Sequence, residues 1–242
     1  FGYSDLRITT ATVTGENIGV FARNDSTGFD SSSLIIDTTA GSVEGKNGAG
    51  LYAANLEYSA FGYTQLSVTT GDVTGAVNGI EAKGGAEGSY GGNVTLDTTD
   101  GFVKGTSGIG ISVVSENEVD YGTTNLTITT ANVEGAVGGI SATNRSDGNS
   151  GSLLTIETSL GGTPGTVRGG YGIRALNETT SDEGATTLTV RTADVTATTG
   201  VGVFARNSAT SELDANVIVD TSAGAVNAVN MGVYASAVGT SA

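Results

Sequence analysis

The alternation of hydrophobic and polar positions restarts at regular intervals along the chain. An alternating run begins at Leu6, Leu34, Leu66, Val94, Leu126, Leu154, Leu188 and Val217. A lone valine follows each run, at Val13, Val43, Val73, Val103, Val133, Val167, Val195 and Val226. A glycine joined to an aliphatic residue comes next: Gly19-Val20, Gly50-Leu51, Gly79-Ile80, Gly110-Ile111, Gly139-Ile140, Gly172-Ile173, Gly202-Val203 and Gly232-Val233. From Leu126 to Thr130 the aliphatic residues fall on one face and the threonines on the other, the period of a half-buried strand. The run Gly138 to Ala142 behaves alike. Three short strands per copy, each with one apolar face, predict one coil of a right-handed parallel β-helix, a β-solenoid. About eight coils would stack into a rod of about 38 Å at the usual strand spacing.

The copies come in pairs. Leu6, Leu66, Leu126 and Leu188 stand 60, 60 and 62 residues apart. One solenoid domain, 1–242, therefore divides into four paired repeats: 1–60, 61–120, 121–182 and 183–242. The last residues, GVYASAVGTSA, read like GLYAANLEYSA, which ends at Ala60, and the first, FGYSDLRITT, read like the FGYTQLSVTT that follows it. Joining Ala242 to Phe1 would keep the 60-residue step. The expectation is a unit that repeats, within a longer tandem array or by head-to-tail stacking of copies. A leucine-rich repeat needs LxxLxLxxN, which is missing, and a propeller blade needs four strands in about 40–45 residues.

Composition narrows the chemistry. There is no Cys and no His, which removes disulfides, thiolate and imidazole metal sites, His-based triads and the commonest general base. The net charge of −15 repels nucleic acid and anionic membrane. No apolar run approaches the roughly 20 residues that span a bilayer. A secreted protein without disulfides suits a bacterial exterior.

Several positions are candidates for function. Asp37, Asp97, Glu157 and Asp220 occupy one outward position in alternate copies and are the candidates for loosely bound Ca²⁺. Two coil spacings, about 9.6 Å, separate them, too far to share one ion, so they also read as solvated charges. Copy six is irregular: SLGGTPGTVRGG holds the only proline, Pro164. An active site on a carbohydrate-active enzyme would have to draw on Glu157, Arg168, Arg174 and Arg191 there. Lys46, Lys83 and Lys104 read as isolated surface charges. Asn24, Asn55, Asn144, Asn177 and Asn207 share a position just after the glycine strand and predict a turn ladder of hydrogen-bonded amides. Phe21, Tyr52, Phe204 and Tyr234 share an outward position that holds Glu81, Ser112, Ser141 and Arg174 in the middle copies. They predict an interaction stripe, unless the loop rings Phe29, Tyr58, Phe61 or Tyr63 cover it.

The phrase TTGDVTGAVNGIEA, with Asn-rich turns and LTITT, resembles the passenger domains of bacterial autotransporters (type V secretion) and related giant repetitive adhesins. The resemblance covers nearly the whole chain. It implies a secreted right-handed β-helix displayed at the bacterial cell surface, in adhesion or biofilm. The combined expectation is a structural or adhesive extracellular rod rather than an enzyme, without catalytic or cofactor-binding residues. Its partners would be itself and a host or matrix glycan or protein. A carbohydrate-active lyase or hydrolase, and a glycan- or receptor-binding module built on the aromatic stripe, are the alternatives.

Overall fold

A computed structural model describes residues 3–27, 31–58, 62–87, 90–118, 122–147, 151–160, 163–180, 184–210 and 214–239. The chain folds as an all-β parallel solenoid. Its strands form three ladders that run along one axis. The first is eight strands deep, from Ser4–Thr9 through Ser32–Thr38 and Thr64–Thr70 to Ala215–Asp220. The third is also eight deep and defines eight levels: Val20–Ser26, Leu51–Glu57, Ile80–Glu87, Ile109–Glu118, Gly138–Asp147, Tyr171–Thr179, Val201–Ala209 and Met231–Gly239. Between them lies a second ladder of short strands around the lone valines, such as Val43–Gly45 and Val73–Gly75.

Register follows the repeat row for row. Leu6 pairs with Leu34, Leu34 with Leu66, and Leu154 with Leu188. The inward positions make one continuous core in which Leu34, Leu66, Ile80, Leu126, Ile140 and Leu188 are wholly buried. The glycine of each copy is where the second ladder turns into the third, at the closest approach of two levels. A Cβ on Gly50 would lie 2.5 Å from Val73 Cγ1 and 2.9 Å from the Gly79 carbonyl; glycine is the residue that admits such a contact. Leu6, Ile8 and Val13 at one end, and Val217, Val219 and Val226 at the other, pack against the core but are only partly buried.

Two details depart from three separate strands per coil. At levels 4 and 5 the first and second ladders fuse into single strands, Gly92–Gly105 and Thr124–Gly135, with a shift of register between Thr98 and Phe102. In copy six the extra residues leave the coil as a small antiparallel pair, Ser159–Leu160 with Thr163–Pro164. Val167 then regains its row beside Val133. The insertion is a lateral excursion and leaves the core rows intact.

Candidate functional site

The outward face of the third ladder carries the most distinctive surface. Strand alternation points Phe21, Tyr52, Phe204 and Tyr234 away from the core, and register sets Phe21 beside Tyr52 and Phe204 beside Tyr234. The rings stack face to face, with centroids 5.0 Å apart and planes 6° apart in the first pair, 4.8 Å and 8° in the second. Those separations are the coil spacing itself, so the ladder dictates the stack. Phe21 is 60% exposed and Tyr234 38%. The expected stripe is thus two separate pairs at opposite ends of the molecule. Of the loop rings that could have covered them, Tyr58 is itself 44% exposed, whereas Phe29 and Phe61 lie outside the described residues. Tyr171, Arg174, Val201 and Phe204 line a shallow groove beside the second pair.

Between the two pairs the same face is ionic. Lys83 Nζ lies 3.2 Å from Glu116, Arg145 bridges Glu116 at 3.2 Å and Glu178 at 3.1 Å, and the four residues stand on levels 3 to 6. The hydrogen bond to Glu178 raises the Arg145 pKa above its ordinary value, against a smaller opposing effect of burial. The lysines are therefore not isolated: Lys46 pairs with Glu16 and Lys104 with Glu134 as well. The signal was present in the sequence as equal repeat positions with opposite charge, Glu116, Arg145 and Glu178, which a chain-wise search for charge clusters overlooks.

The asparagines lie within strands rather than at a turn. Alternation past the glycine runs Leu51, Ala53, Asn55, so the amide takes the third inward position. Asn55, Asn144, Asn177 and Asn207 are completely buried and Asn24 nearly so. Where the next level also carries an asparagine, Nδ2 donates to its Oδ1: Asn24 to Asn55, Asn144 to Asn177 and Asn177 to Asn207, all at 3.0 Å. The same nitrogens donate to first-ladder carbonyls, as Asn55 does to Ser32 and Gln65. This stitches two faces of the solenoid together through the interior. Gly84 and Ser115 interrupt it at levels 3 and 4.

The acidic row is a row of turn residues. Oδ1 of Asp37 accepts hydrogen bonds from the backbone N–H and hydroxyl of Thr39; Asp97 does so with Thr99 and Asp220 with Ser222. These are Asx turns, at the end of the strand for Asp37 and Asp220 and within the fused strand Gly92–Gly105 for Asp97. The hydroxyl bond first, and the backbone bond second, hold the carboxyls of Asp37 and Asp220 below the usual value. Register places Thr69 between Asp37 and Asp97, and sets Glu157 beside Thr129 and Arg191. The four Ca²⁺ candidates are thus kept apart, and among the described residues no group of three or more His, Cys, Asp or Glu could hold a metal ion. The candidates from copy six are likewise dispersed. Glu157 and Arg191 adjoin on the first ladder, Arg168 belongs to the second and Arg174 to the third.

Compared with protein-family models, with curated proteins and with solved structures, the chain matches none of them.

Proposed function

We propose that this chain is a length of structural rod, continued end to end by further coils of the same kind, and that it serves as an extracellular, adhesive or fibre-forming element. The observation that carries the reading is the pair of terminal levels. In their first and second ladders the inward residues Leu6, Ile8, Val13, Val217, Val219 and Val226 are aliphatic like the buried middle rows but only partly buried, although Val20 and Ala22 of the first level are buried. Among the described residues their outward rings, Phe21 and Tyr234, each have one face stacked on a ring and no ring on the other. One more coil, whether from the same chain or from another copy, would bury the first and stack on the second. The sequence supports this, because the 60-residue step runs on through Ala242 to Phe1, two positions outside the described residues. The texture shared with autotransporter passengers and repetitive adhesins, and the lack of Cys, support placement at a bacterial surface.

Residues 1–242 should associate into linear particles as concentration rises, seen by light scattering and electron microscopy. Changing Phe21 and Tyr234 together to Ser should weaken that association by about tenfold, the worth of one stacked ring pair. A protein that stays monomeric at all concentrations, with the double change silent, sinks the reading. A glycan-binding module is the second reading, favoured by the exposed Phe21–Tyr52 pair; loss of glycan binding on Tyr52→Ser without loss of association would select it.

A further inference from the structure

Where the third ladder ends and the first begins again, the interior is polar. The first inward residues of the first ladder form a row that includes Ser32, Thr64, Gly92, Thr124 and Ser152. The last inward residues of the third form a facing row through Glu57, Ala86, Asn117 and Ser146. The two rows touch: a Cβ on Gly92 would lie 2.9 Å from Asn117 Oδ1, and Thr64 Oγ1 donates to the Gly85 carbonyl at 3.2 Å.

Most buried side-chain oxygens without a hydrogen-bond partner gather on this corner, including Ser32 Oγ, Asn117 Oδ1, Thr124 Oγ1, Ser146 Oγ and Ser152 Oγ. Glu57 is the one that cannot be left so. It is 1% exposed, and neither carboxylate oxygen has a partner. Buried hydroxyls without partners are a modest cost, but a buried carboxylate without one is a severe cost. Its neighbours in the row are small, Ser26 one level below and Ala86 one level above, and Ser32 opens the facing row of the same coil.

We propose that Glu57 and the Ser32 hydroxyl hold a monovalent cation inside the solenoid at level 2, with water along the hydroxyl-lined corner beyond it. The charge of the site selects the ion class. A single carboxylate among neutral oxygens balances one positive charge. The neighbouring carboxylates Glu87 and Glu118 are exposed and occupy the next, outward-facing row of the sheet. Ca²⁺ takes 6–8 oxygens and commonly several carboxylates. The site is independent of the rod reading, since it lies within one coil.

The test is thermal unfolding of the whole chain in NaCl or KCl against choline chloride at equal ionic strength, where choline is too large to enter. The wild-type midpoint should stand about 2–4 °C higher with the small cation, a shift of the size that one bound ion gives a chain of this length. Glu57→Gln should abolish the difference, and the exposed Glu118→Gln should keep it. No difference in the wild type, or a difference that survives Glu57→Gln, overturns the proposal. Should Glu57→Gln fail to fold, wild-type crystals grown in RbCl decide: an anomalous peak within coordination distance of Glu57 supports the site, and water alone against both oxygens overturns it.

Discussion

The two ends of the third ladder and its middle share one backbone, one strand spacing and nearly the same inward rows, yet their outward faces differ in kind. Levels 1 and 2, and again levels 7 and 8, carry stacked ring pairs. Levels 3 to 6 carry the chain Lys83–Glu116–Arg145–Glu178. The ionic chain is self-limiting. Arg145 already has a carboxylate on either side, and the alternation of sign ends at Lys83 and Glu178. A ring pair is open-ended, because a stacked ring offers its second face to whatever comes next. Charge in the middle keeps the face solvated and discourages lateral sticking, while rings at the ends would, on the proposed reading, favour growth along the axis. The difference teaches that one backbone ladder can carry two kinds of outward chemistry, stacked rings at its ends and ion pairs along its middle.

The sharpest way to break the comparison is through the core. Leu126→Ala, at a wholly buried middle position, should cost about 2–5 kcal/mol. Leu6→Ala, in the same row but only partly buried, should cost less than about 2 kcal/mol in dilute solution. If ends are covered by further coils, the cost of Leu6→Ala should climb toward that of Leu126→Ala as protein concentration rises. Urea unfolding at two concentrations reads both quantities. Equal costs in dilute protein would mean that the ends are already as finished as the middle.

A second change acts on the interruption of the asparagine ladder. Gly84→Asn would complete the row at level 3, but its Cβ would lie 2.3 Å from Val94 Cγ2. The single change should destabilise by about 1–3 kcal/mol through overpacking. Adding Val94→Ala should recover part of that loss, because it opens the space and lets the new amide reach its neighbour Asn55. A neutral Gly84→Asn would show that the middle levels tolerate the end levels' ladder and that the gap has no steric cause.

Much of this architecture could be read from the chain, because a solenoid writes its contacts as repeats: residues one copy apart are neighbours in space. Leucine to leucine and phenylalanine to tyrosine were legible for that reason. Most of the ion chain was equally legible in principle and was missed because Glu116, Arg145 and Glu178 look scattered until they are aligned by copy; Lys83 stands two residues off that row and reaches Glu116 diagonally. Other features needed the folded backbone. Alternation continues beyond the apparent end of each copy, so the asparagines and Glu57 are buried although they border loops. The Asp–Thr and Asp–Ser turns satisfy their carboxylates locally, so three members of an acidic row that resembles a cation site are turn residues. The copy-six insertion folds outward on itself, which no spacing rule specifies.

Smaller effects belong to the ionic middle. Arg145→Ala removes two ion pairs whose side chains are 32–45% exposed. Solvent screens such pairs, so the loss should stay below about 1 kcal/mol and shrink further in 1 M salt, where the screening length falls to about 3 Å. A larger, salt-resistant loss would make the middle a cooperative network and erase the contrast with the ends.

The smallest effect concerns the one feature on which an end and an interior level should agree. Asp220 belongs to the terminal level and Asp37 to level 2, with strands on both sides. Both Asx turns close between residues i and i+2, and Arg7 or Arg191 on the adjacent level adds only a smaller charge effect. Each carboxyl is held below its ordinary 3.8, chiefly by the hydroxyl of Thr39 or Ser222. A lowered folded-state pKa means that the charged form is the one stabilised. The contribution is therefore present at neutral pH and is lost as pH falls below 3.8 through the folded value. Both carboxyls are solvent-facing, so the loss is slight and is best followed residue by residue, by NMR titration of the carboxyl carbons. Thr39→Ala and Ser222→Ala should raise the respective pKa values by similar amounts. Unequal shifts would mean that the terminal strand holds its turn less firmly than level 2 does, and the open end would then be a frayed one, unsuited to receive another coil.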